Sequence, residues 1–113
     1  MRTSLLLAAV LALFLPALAS AQKLADEQSR RQATEFYRSG QEYMAHEQYD
    51  KAVESYMAAI AKDPLMTLAH YQLGQAYMAL KRPASALQAY QGAVEALRTL
   101  HDMEQSNQFE VDK

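Results

Sequence analysis

Three features of the 113-residue sequence predict an all-α fold. Residues 33–98 nearly repeat themselves at an interval of 34, so that Tyr37, Gly40, Gln41, Tyr43, Met44 and Ala45 return as Tyr71, Gly74, Gln75, Tyr77, Met78 and Ala79, and Ala52, Tyr56 and Ala59 as Ala86, Tyr90 and Ala93. Within the first copy, Phe36, Gly40 and Tyr43 stand at i, i+4 and i+7, the spacing of one helix face rather than of a strand. The breakers Pro64 and Pro83 fall between the helical stretches.

Taken in order, the chain opens with a segment that reads as processing information. Arg2 supplies a positive start, Leu5 to Leu15 is an unbroken apolar run, Pro16 breaks it, and Ala19-Ser20-Ala21 precedes Gln22 as a small-residue cleavage site. The alternative is a retained anchor, but the run is short of the roughly 20 apolar residues that span a bilayer. Residues 1–21 are therefore expected to be a cleaved signal peptide. The remainder would then work outside the cytoplasm, secreted or periplasmic, without a membrane contact of its own. Residues 22–32 form a polar extension of mostly good helix formers.

The first copy predicts a helix over 33–46, a turn over 46–50 and a second helix over 50–62 that turns Ala52, Val53, Tyr56, Ala59 and Ile60 inward. Gly40 costs a helix interior up to about 1 kcal/mol relative to alanine. Its return as Gly74 therefore marks two close helix approaches. Asp63-Pro64 ends the second helix, since the residue before a proline is pushed out of the α region. The second copy predicts helices over 65–80 and from Pro83-Ala84 onward, the latter presenting Ala86, Leu87, Tyr90, Ala93, Val94 and Leu97 inward. Arg98 stands where Pro64 closed the first copy, so this helix is expected to run on to about Ser106. A loose polar tail bearing Phe109 and Val111 follows.

Composition removes several function classes. With no cysteine there is neither a disulfide framework nor a thiolate metal site. A net charge of −2 with scattered basic residues gives no footprint for nucleic acid. His46, His70 and His101 lack metal-ligand spacing, and no serine-nucleophile motif or glycine-rich phosphate loop is present. No enzymatic role, metal or cofactor is expected.

The period of 34, with glycine, tyrosine and alanine at these offsets, resembles the tetratricopeptide repeat. The first copy supplies Phe36, Ser39, Gly40, Tyr43, Ala52, Tyr56, Ala59 and Pro64 at the packing positions, and the second His70, Leu73, Gly74, Tyr77, Ala86, Tyr90 and Ala93. Ser39, His70 and Arg98 depart from the pattern. The resemblance implies repeats over 33–66 and 67–100, each a helical hairpin, stacked as a short right-handed solenoid. Residues 101–113 would be a helical extension and polar tail.

It also implies a peptide-binding groove along the first helices, carried by Tyr37, Arg38, Gln41, Met44, Tyr71, Gln72, Gln75 and Met78, with Thr34, Ala45, Leu68 and Ala79 beside them. A clamp for a terminal carboxylate is not expected, because tyrosine and glutamine occupy the places where such clamps carry lysine and asparagine. The groove residues could instead contact one another, Tyr37 against Tyr71 and Met44 against Met78. Two repeats fall short of the three or so that make a self-sufficient stack. The expected function is thus an exported, non-catalytic module that binds a protein or peptide. The alternatives are a self-associating structural protein, a homo-oligomer, or an accessory subunit of a secretion or envelope complex.

Overall fold

The computed structural model describes residues 26–111, apart from the side chains of Phe109 and Val111. The expected signal peptide and the first residues of the polar extension lie outside the described part. Four helices follow one another: α1 over 26–45, α2 Tyr49–Lys62, α3 Thr67–Ala79 and α4 Pro83–Val111. No strand occurs among the described residues.

Residues 26–32 of the polar extension form one continuous helix with the rest of α1, because, though without apolar side chains, they mostly favour helix. Both first helices end in the same way. After α1, the Gln48 amide donates to the Tyr43 carbonyl at 2.8 Å and the Glu47 amide to the Met44 carbonyl at 3.1 Å. After α3, Arg82 and Lys81 do the same to Tyr77 and Met78 at 2.9 and 3.0 Å. This is the paired closure that needs a left-handed residue, and Glu47 (φ 58°) and Lys81 (φ 59°) provide it without being glycine.

Besides this earlier start of α1, two boundaries differ from the sequence expectation. Asp63 is extended (φ −139°, ψ 90°), as the following proline demands, and its carboxylate accepts the Leu65 amide at 3.2 Å. That side-chain turn holds residues 64 and 65 out of the helix, so α3 begins at Thr67 rather than Leu65. At the far end α4 continues to Val111, beyond Ser106, because nothing in the sequence stops it. The backbone of the expected loose tail is helical to that point; the Phe109 and Val111 side chains are not among those described.

The core is made of small residues around one large one. Ala33, Ala52, Ala59, Ala69, Ala76, Ala86, Ala93 and Ala96 are buried, which brings helix backbones close together, and Tyr56 is fully buried among the largest side chains. A Cβ placed on Gly40 would lie 2.5 Å from the Tyr56 ring, and one on Gly74 the same distance from Tyr90. In each hairpin the glycine of the first helix is thus the seat of the tyrosine of the second. α3 packs against both α2 and α4 and joins the hairpins.

The expectation that Leu87, Val94 and Leu97 turn inward is corrected. They are 58%, 54% and 56% exposed. Val53, the counterpart of Leu87 in the first copy, is only 9% exposed because α3 covers it. Among the described residues no third hairpin covers α4 in the same way.

Gly40→Ala and Gly74→Ala should each destabilise the fold by about 1–3 kcal/mol, the usual cost of overpacking, despite alanine's better helix propensity. Urea denaturation of the two variants checks this; equal or greater stability would show that the tyrosine rings move aside freely.

Candidate functional site

The residues singled out from the sequence form two copies of one small module. Tyr37 on α1 rests against Tyr56 on α2, ring centres 5.8 Å apart and tilted by 48°. Tyr71 on α3 rests against Tyr90 on α4 at 5.7 Å and 49°. One turn further along each first helix, a glutamine side-chain amide donates to the tyrosine hydroxyl: Gln41 to Tyr37 at 3.2 Å and Gln75 to Tyr71 at 3.0 Å. The seated ring fixes each tyrosine, and the i, i+4 spacing brings the glutamine to it. Each hydroxyl still has a proton to donate, and each glutamine keeps its carbonyl as a free acceptor.

The other members surround these pairs. Met44 is half-buried against the core, Gln72 is half-buried, and Arg38 and Met78 are exposed. Arg38 joins no ion pair among the described residues, where the salt bridge present links Arg98 to Glu95 at 3.4 Å. Tyr37 and Tyr71 do not stack on each other; each takes its aromatic partner from the second helix of its own hairpin.

A second concavity was not legible in the sequence. It lies on a different face of α3, between α2 and α4, with a volume of about 320 Å³ and walls that include Met57, Ile60, His70, Leu73, Tyr77 and Gly92. None of the eight expected groove residues lines it. The His70 Nε2 lies 2.8 Å from the Pro64 carbonyl. That oxygen only accepts, so Nε2–H donates to it. A Cβ on Gly92 would lie 2.6 Å from Nδ1. The signal that could have revealed this is a paired departure between the copies: Phe36 and Ala58 of the first become His70 and Gly92 of the second. The polar ring of His70 takes the room that a methyl group on residue 92 would fill.

Among the described residues no group of three or more histidine, aspartate or glutamate side chains is placed to hold a metal ion. No described helix is long and apolar enough to cross a membrane.

Stacked helical hairpins with glycine-seated tyrosines define a helical-repeat protein, a class that presents faces to other molecules. Within that class, the tetratricopeptide repeat model matches residues 37–99, more than half of the chain, and the protein belongs to that family. A search of curated proteins finds no match to the chain.

Tyr56 gives this region a testable property. Its buried hydroxyl has no hydrogen-bond partner, and burial, with Tyr37 adding to it, pushes its pKa up from 10.0 to about 12. The neutral form is favoured in the folded state, so this stability is fully present below pH 10 and is lost as pH rises through 12. Tyr56→Phe removes an unsatisfied group worth roughly 1–3 kcal/mol. Thermal melts should show the variant at least as stable as the parent at neutral pH, with a shallower loss between pH 10 and 12. A strongly destabilised variant would mean that the hydroxyl is satisfied after all.

Proposed function

We propose that the protein is a non-catalytic module that binds a peptide or an exposed segment of another protein along α1 and α3, through Tyr37, Arg38, Gln41, Met44, Tyr71, Gln72, Gln75 and Met78. The observation that carries this reading is the duplicated tyrosine–glutamine pair. Two fixed aromatic rings offer apolar area at little ordering cost. The glutamines at their edges match the donor and acceptor groups of a peptide backbone. Met78 adds an adaptable apolar contact. Two such units in series suit an extended or helical segment better than a compact ligand.

A random peptide library panned against the protein tests this directly. Enriched peptides should lose roughly tenfold or more in affinity for Tyr71→Ala, as expected when an aromatic anchor is removed, and for the pair Gln41→Ala with Gln75→Ala. Peptides that bind these variants as well as the parent would place recognition elsewhere.

The apolar run, Pro16 and the Ala19-Ser20-Ala21 step support a further reading, that the module acts after export, as a secreted or periplasmic protein. Mass spectrometry of the protein recovered from cells should find a chain beginning at Gln22. A chain that retains residues 1–21 would refute cleavage.

A further inference from the structure

The two ends of the stack carry the two halves of an interface that the chain already makes once within itself. Inside the chain, α3 covers Val53 and partly covers Ile60 of α2. From the α3 side, His70, Leu73 and Tyr77 line a common groove with Met57 and Ile60, and the Tyr77 hydroxyl lies 3.9 Å from the Met57 sulfur.

Counting 34 residues forward from the α2 half leads to Leu87, Gln91 and Val94 on α4, where Leu87 and Val94 are more than half exposed. Counting 34 back from the α3 half leads to Phe36, Ser39 and Tyr43 on α1. Phe36 is 38% exposed and, with Ser39, lines an open groove beside Lys62. The last helix thus has the face that α2 uses, and the first helix has the face that α3 uses. Neither has another helix laid across it among the described residues, although Tyr43 is partly buried and the Lys51 ammonium lies 5.8 Å from the centre of its ring.

We propose that a second copy of this chain docks head to tail, the α1 face of one copy on the α4 face of the other, and so continues the α2–α3 packing from chain to chain. The repeat fixes the register. The internal Tyr77–Met57 contact, carried over by one repeat, sets Tyr43 of one copy against Gln91 of the next, with Phe36 and Ser39 beside Tyr43 and Leu87 and Val94 flanking Gln91. The contact is heterologous, since the two faces differ, and every added copy leaves one of each free. Ser39 replaces Leu73 and Gln91 replaces Met57, which makes the contact less apolar than the internal one and its extent dependent on concentration. The tyrosine–glutamine face takes no part, so this association stands or falls independently of peptide binding.

The absence of cysteine makes the test clean. Full chains carrying Ser39→Cys or Gln91→Cys are mixed, one of them mass-tagged, and treated with a short bis-maleimide. The expected result is a mixed crosslink that forms roughly tenfold faster than either variant links to itself, as a heterologous contact requires. Adding Val94→Glu to the Gln91→Cys chain should bring the mixed product down to the self-linking level while the helical circular dichroism stays unchanged. Self-links as fast as the mixed link would overturn the proposal, because symmetric pairing or chance collision would explain them. So would a mixed link that Val94→Glu leaves intact.

Discussion

The whole arrangement rests on how closely two helices of a hairpin approach one another, and that approach is set by a tyrosine ring packed against a glycine. Without a side chain at Gly40, α1 admits the Tyr56 ring against its own backbone. The alanines around it let the remaining backbones follow. The ring also sets the surface: Tyr37 rests on Tyr56 and is itself held for Gln41 to reach. Core and candidate binding face are therefore one continuous column, built twice. A change at the glycine would be felt at the glutamine.

Much of this was legible because the chain states it twice. Glycine and tyrosine recurring at one interval could be read as packing positions, and the proline that opens α4 as a helix start. What could not be read depends on which neighbours exist. Leu87 and Val94 have the same spacing and character as Val53 and Ile60, yet only the earlier pair has α3 to cover it. Periodicity reports which face is apolar, not whether anything lies against it. The start of α3 escaped for another reason: the Asp63 carboxylate competes for the Leu65 amide, a local hydrogen bond that proline rules do not contain. The tyrosine–glutamine pairs were named residue by residue from the family resemblance, whereas their mutual hydrogen bonds, and the choice of Tyr56 and Tyr90 as supports, came only from the structure.

A stack of two hairpins has a single seam between repeats, along α2 and α3. In a longer array each hairpin would be supported from both sides, and stability would grow with every added seam. Among the described residues the first hairpin has a partner on one side only, and so does the second. This explains why so much apolar surface gathers at α4: it is the flank of a repeat without a successor among the described residues.

The length of α4 gives one helix two energetic regimes. Up to Ala96 its inner residues are buried against the hairpin; from Leu97 to Gln108 every side chain is exposed. A free helix of fewer than about 12–15 residues is marginal in water. The projecting part is therefore nucleated by the packed part but not secured by it. Its amide protons should exchange progressively faster toward Val111, while those before Ala96 open only with the fold as a whole. The same rod that is rigid at its root is a slow-fading spring at its tip, and any molecule that grips the tip would be ordering helix as well as making contact.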